Sequence, residues 1–307
     1  MNTPWGEIEV ADAHVHFFSH RFFSLLATQK RAGLGDVEKA LGWPMPPERP
    51  EDLAAIWAAE LDRHAVSRAV LIASLPGDMA SVAAAVTAHP DRFDGFFFVD
   101  PTAQGAVAAV HAGLAAGLRG ICLFPAMHAY PIAGPRAIAA IQAASEHPGT
   151  IVFVHCGALS VGVRNKLGLP SPFELRYSNP MDLHSIAQRF AGTPFVIPHF
   201  GAGLFREALM VADLCPNVYL DTSSTNGWMR YQSPAVTLRD VYARALDVVG
   251  PRRLLFGTDS SFFPRGWHSA VYSAQVEALA QAGADADAAR AVLGGNLRRV
   301  LGSPSGD

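Results

Sequence analysis

Eight short apolar runs, each followed by an alanine-rich stretch of helical composition, divide this chain almost from end to end. The runs are residues 8–16, 68–74, 93–100, 118–124, 150–156, 194–200, 217–223 and 253–259. Most are continuously apolar rather than alternating, as in "TIVFVHC". Parallel strands covered by helices bury both faces and need that pattern. Between the runs, "PEDLAAIWAAELDRHAV" opens on a proline suited to a first helical turn. Alternation of this kind predicts a parallel α/β fold. Eight units in 307 residues predict one (β/α)8 TIM barrel, a single domain over residues 1–307, rather than two open sheets. Two segments break the spacing, residues 20–50 and 157–180. They follow strands one and five as long loops, on the side where a barrel builds its active site.

The composition narrows the partners. Hydrophobic residues make up 50% of the chain and charged ones 17%, which supports a large core. A net charge of −3 asks for neither nucleic acid nor an anionic membrane surface. The three cysteines, Cys122, Cys156 and Cys215, form no C-x-x-C pair and read as reduced thiols. The opening "MNTPWGEIEV" lacks a basic segment followed by an apolar one. The expectation is a cytoplasmic protein with a small-molecule substrate, no nucleic-acid or membrane partner, and homo-oligomerisation left open.

Polar residues fall where a barrel needs its chemistry. In "ADAHVHFFSH", His14 and His16 end the first run. His155 ends the fifth, His199 the sixth and Asp259 the eighth. A polar group buried in an apolar strand is costly without a partner, and one shared divalent ion would partner all five. Asp12, His14 and His16 stand at i, i+2 and i+4, so unbroken strand alternation puts them on one face. Asp12, the deepest of the three, reads as a supporting or structural group.

The motifs D-A-H-V-H at 12–16, V-H-C-G at 154–157, P-H-F-G-A-G at 198–203, L-L-F-G-T-D at 254–259 and G-G-N-L-R-R-V-L-G at 294–302 occur in one order. Together the chain resembles the amidohydrolase superfamily, and more closely its amidohydrolase-related branch of metal-dependent hydrolases and non-oxidative decarboxylases. The resemblance implies a distorted (β/α)8 barrel with one or two metals at the strand ends. It implies His14, His16, His155 and Asp259 as metal ligands and His199 as a catalytic histidine. Asp259 would double as the acceptor of a water proton. Where some two-metal relatives read G-I-K-L on strand four, this chain reads Gly120, Ile121, Cys122, Leu123. Cysteine cannot be carboxylated as lysine is. The expectation is therefore one divalent ion, Zn2+ with Mn2+ as the alternative. Cys122 reads as a small apolar side chain, with a thiolate ligand as its alternative.

Substrate contacts are expected from the loops. Arg265 in "SSFFPRGWH" suits a carboxylate, and His128 in "FPAMHAYP" follows strand four. Asn226 and Trp228 in "DTSSTNGW" are placed to line the pocket, with loop structure as an equal alternative, and Asp221, Ser223 and Ser224 read as caps on loop backbone. The expected activity is a metal-dependent hydrolase that attacks an amide, ester or lactone carbonyl with metal-activated water. The alternatives are a non-oxidative decarboxylase of an aromatic or unsaturated acid and a non-catalytic metal-binding barrel.

Overall fold

The computed structural model describes residues 1–302. After a small hairpin, Asn2–Thr3 with Gly6–Glu7, eight parallel strands follow in chain order. They are β1 (Val10–Phe17), β2 (Val66–Ala73), β3 (Phe93–Val99), β4 (Gly120–Leu123), β5 (Ile151–Val154), β6 (Phe195–Ile197), β7 (Val218–Asp221) and β8 (Leu254–Leu255). Each strand pairs with its sequence neighbours. The ends of the sheet meet through Ala13 N–H donating to Phe256 O at 2.8 Å and His16 N–H donating to Ser260 O at 2.7 Å. Eight helices return the chain, from Pro50–Arg63 after β1 to Ser269–Gln281 after β8. The barrel expected from the alternation is the barrel found. The later strands are shorter than their apolar runs because the residues that end those runs turn into the loops at the C-terminal mouth of the barrel.

Alternation along the strands sorts two apolar cores. Leu71, Ile121, Val152 and Ile197 face the helices. Val70, Ile72, Phe96, Phe98, Cys122 and Phe153 fill the barrel interior. A fully buried Phe contributes about 1.5–3 kcal/mol, so the interior phenyl rings are a main source of barrel stability. They also make an aromatic floor beneath the strand ends. Cys122 is wholly buried in this layer, and burial pushes its thiol well above the usual cysteine range. It is packing, as its apolar reading expects; the thiolate alternative is not supported.

The shared face of Asp12, His14 and His16 is not realised. Asp12 pairs with Ala69, but Val15 pairs with Leu71, so β1 carries one extra residue between them. Such a bulge reverses the alternation. His16, opposite Ile72, faces inward, while Asp12 points outward. The Asp12 carboxylate accepts from His14 N–H, Thr258 N–H, Thr258 Oγ1 and Trp267 Nε1, at 2.9, 3.1, 2.5 and 2.8 Å. It therefore ties β1 to the segment after β8. We predict that Asp12→Ala, which orphans these buried donors, lowers stability by about 3 kcal/mol. Urea unfolding checks this; a loss below about 1 kcal/mol would make Asp12 an ordinary polar residue.

The two long insertions are more than loops. The first folds into helices His20–Lys30 and Leu34–Leu41, the second into a short helix at Gly162–Lys166. Phe22, Leu26, Val37, Trp43, Val163 and Leu167 join in a third apolar cluster, separate from the barrel cores. Lys30 Nζ donates to Leu167 O and Arg164 Nη1 to Gln29 Oε1, which fastens one insertion to the other. The result is a cap with its own core beside the strand ends.

Candidate metal centre

Three side chains converge at the C-terminal mouth of the barrel. His14 Nε2 and His16 Nε2 are 3.3 Å apart. Asp259 Oδ1 lies 3.2 Å from His16 Nε2 and 3.7 Å from His14 Nε2. Among the described residues this is the group of donors close enough to share an ion.

Hydrogen-bond partners decide what those donors offer. His14 Nδ1–H donates to Asp221 Oδ2 at 2.6 Å. Ser74 Oγ gives its proton to Ile72 O at 3.0 Å, and so accepts from His16 Nδ1–H at 2.7 Å. In the neutral form of either ring the proton is thus on Nδ1 and Nε2 carries a lone pair. Two lone pairs and a carboxylate oxygen facing one another repel unless a cation lies between them. Two ligand atoms on a tetrahedral zinc are about 3.4 Å apart, given bonds near 2.1 Å. The observed spacings fit that requirement. The donor set of two imidazoles and one carboxylate fits a catalytic divalent ion and leaves coordination positions for others.

The surroundings tune these groups. Phe153 meets the His14 ring edge-on at 5.3 Å, and Phe124 stacks on His155 at 5.2 Å. Burial pushes His16 and His199 below the usual histidine range and His155 far below it, so all three are neutral at pH 7. For His14 burial acts downward too, but the Asp221 carboxylate outweighs it and the net shift is upward. An ion at Nε2 therefore competes with a proton there. Burial opposes ionisation of Asp259, yet His16, His14 and His199 hold its carboxyl well below the usual carboxylate range.

The loops that present the site are strained. Asp259 and His199 have φ of 59° and 56°, and Phe200, Ala202, Ser224 and Asn226 are also left-handed. Non-glycine residues pay about 1–2 kcal/mol for that conformation, which persists where the surroundings enforce it. Asp259 N–H donates to His14 O at 3.0 Å, and Gly201 N–H to Pro198 O at 2.9 Å. Gly157, at φ 77°, lets the chain after His155 pass against this turn: a Cβ there would lie 2.1 Å from Gly201 O.

All five strand-end residues face one cavity of about 1060 Å3. His155 is in it but outside the close group of three, and its Nδ1 is buried without a partner. Its role as a further ligand is a proposal. His199 Nδ1 is 2.8 Å from Ser223 Oγ, which also sits 3.0 Å from His14 Nδ1. Of the expected substrate residues, Arg265, His128 and Trp228 line the cavity. Asn226 does not; it is buried, and its Oδ1 accepts from Trp228 Nε1 at 3.0 Å, so it fixes the loop instead.

Asp221 caps the loop backbone, its Oδ1 accepting from Ser223 N–H at 2.6 Å, and the contacts of Asp221 and Ser223 with His14 go beyond that expectation. Asp221 ends β7 as Asp259 ends its own apolar run, and that placement was the available signal. A carboxylate on the far nitrogen of a metal-binding histidine orients the ring and raises its basicity. We predict that Asp221→Asn weakens metal affinity by about 10- to 100-fold. Competition with a chelator measures it; an unchanged affinity would reduce Asp221 to a packing role.

The sequence profile of the amidohydrolase family matches residues 11–303. The chain belongs to the amidohydrolase family. Solved structures that it resembles are similarly complete. An amidohydrolase from Burkholderia multivorans with bound zinc has a TM-score of 0.60 at 18% identity, over 96% of this chain and 100% of that one. A 5-carboxyvanillate decarboxylase from Novosphingobium aromaticivorans, with bound manganese and a substituted nitrobenzoic acid, has a TM-score of 0.64 at 15% identity, over 97% and 98%. A Pseudomonas putida protein provisionally named 2-pyrone-4,6-dicarboxylic acid hydrolase has 0.59 at 21% identity, over 96% and 98%. At these identities they establish the fold of this amidohydrolase. Protein fluG of Emericella nidulans is 34% identical over 87 residues, 28% of this chain and 10% of that protein, so the match spans only a tenth of that relative. Among the described residues no helix is long and apolar enough to cross a membrane.

Proposed function

We propose that this amidohydrolase is a metal-dependent hydrolase that cleaves an amide, ester or lactone bond in a small carboxylate-bearing molecule. The observation that carries the reading is the meeting of three donor atoms, His14 Nε2, His16 Nε2 and Asp259 Oδ1, at cation-sharing distances. His155 is the proposed fourth holder of one ion, Zn2+ by preference and Mn2+ otherwise. Such an ion supplies a Lewis acid that acidifies water and polarises a carbonyl.

The chain's own residues do the rest. Asp259, ionised and 35% exposed, accepts the proton of the attacking water. His199, neutral and anchored by Ser223, faces the same cavity and assists at the carbonyl oxygen or the leaving group. Arg265 Nη2 donates to Asp259 O and Ser261 Oγ, at 3.2 and 3.0 Å, so a carboxylate held by Arg265 lies beside the reacting centre. Phe18, Phe98 and Phe124 in the wall keep bulk water away.

Metal content by inductively coupled plasma mass spectrometry is the test. About one equivalent in the purified protein, lost in His14→Ala, is the expected result. No metal after reconstitution would overturn the reading.

The closeness of Arg265 to Asp259 also suits removal of the substrate's own carboxyl group, and the fold likeness to a manganese-bearing decarboxylase agrees with that second reading. Carbon dioxide release measured against acid release, on one panel of aromatic and unsaturated acids and their esters and lactones, separates the two.

A further inference from the structure

The cavity departs from the charge balance of the whole protein. The chain is net negative, yet four cations line the cavity, Arg164, Lys166, Arg230 and Arg265, against one carboxylate, Asp259. Cations elsewhere are commonly paired, as Arg68 is with Asp94 and Arg92 with Asp62. Among the described residues none of the four has a carboxylate partner. Arg164 is spent on Gln29 and Pro170 O within the cap. Arg230 lies on its neighbour Tyr231 at the rim.

Lys166 and Arg265 differ from these two, because one aromatic pair holds both. Trp43, from the first insertion, stacks on Phe262, from the loop after β8, with centroids 3.7 Å apart and planes at 11°. Lys166 Nζ lies 5.1 Å from the Trp43 ring, and the Arg265 guanidinium 4.6 Å from Phe262. All four side chains line the cavity. Each cation is placed by a π face, which orients it without neutralising it. An acid that entered would find one positive charge beside Asp259 and a second on the cap, with aromatic surface between them.

We propose that Lys166, Trp43, Phe262 and Arg265 form a two-point anion subsite that selects substrates carrying two carboxylates. Arg265 takes the carboxylate near the reacting centre, and Lys166 takes the distal one. The subsite rests on the reading of this cavity as the substrate site and adds a second charge to it. It also makes the cap part of specificity, since Trp43 and Lys166 come from different insertions and meet only when the cap is packed.

Calorimetry with three diacids of increasing carboxylate spacing tests it: benzene-1,3-dicarboxylate, benzene-1,4-dicarboxylate and biphenyl-4,4'-dicarboxylate, each against its monoacid. The titrations use the metal-loaded protein. At least one diacid is expected to bind about tenfold more tightly than its monoacid, the gain of one further charge-assisted contact. Lys166→Met should remove that advantage and leave monoacid affinity unchanged; Arg265→Met should weaken both. Lys166 is exposed and makes no hydrogen bond on which the fold depends, so the variant isolates its charge. Diacids binding no better than monoacids, or an advantage that survives Lys166→Met, would overturn the subsite. Repeating the titrations on His14→Ala keeps the two ideas apart. Diacid selectivity that persists there, with no metal in the wild type, would sink the hydrolase reading and leave the subsite standing.

Discussion

Asp259→Asn is expected to lower turnover by about a thousand-fold while the barrel stays folded. The substitution suits the position. Asp259 sits on left-handed backbone at φ 59°, which asparagine tolerates better than most residues. Its N–H keeps the bond to His14 O, and the side-chain volume is nearly unchanged. What disappears is negative charge at the convergence of His14 and His16, and with it the proposed proton acceptor for water. An amide at neutral pH accepts no proton from water. Metal affinity should fall as well, because one of three close donors becomes neutral. Steady-state kinetics at saturating metal, with far-UV circular dichroism to confirm folding, separates these losses. Wild-type kcat in Asp259→Asn would remove Asp259 from the proton transfer and reopen the choice of base.

The parts of this protein that were legible in the sequence are those set by burial. A parallel strand covered on both faces must be apolar throughout, so eight strands announce themselves and a polar residue at a strand end stands out. His14, His16, His155, His199 and Asp259 were found in that way, and all five face one cavity. Asp12 shows where the same logic stops. Its spacing from His14 is that of one strand face, but a single inserted residue turns it outward, and a bulge leaves no mark in an apolar pattern. Asn226, placed to line the pocket or to hold its loop, does the second: its backbone is left-handed and its amide oxygen accepts from Trp228 Nε1. Asp221 sat in plain view at the end of β7 but was indistinguishable from a residue capping loop backbone. It does cap that backbone, with Oδ1 accepting from Ser223 N–H at 2.6 Å, and its other oxygen adds the 2.6 Å bond to His14. The cap was legible as irregular spacing and no further, because its core joins insertions more than a hundred residues apart. Long-range packing of that kind has no local signature.

His199→Asn is expected to leave bound metal unchanged and to reduce kcat by a factor of about 100 to 10,000. The contrast follows from geometry. His199 lies outside the group of three close donors, with its ring 5.0 Å from that of His14 and 5.4 Å from that of His155. Its Nδ1 is fixed by Ser223 Oγ at 2.8 Å, which leaves Nε2 as the nitrogen free to meet a substrate. Burial keeps the ring neutral, and in the tautomer whose Nδ1 accepts from Ser223 Oγ–H, Nε2–H polarises a carbonyl or passes a proton to a leaving group. Asparagine again fits the backbone, here at φ 56°, and reaches Ser223 less well than the ring does. Metal content with kcat and KM together decides the matter. Metal retained with kcat lost assigns His199 to the reacting atoms. Metal lost with it would move His199 among the groups that hold the ion. Full activity would overturn the proposed mechanism, since among the described residues His199 is the imidazole that shares Ser223 with His14.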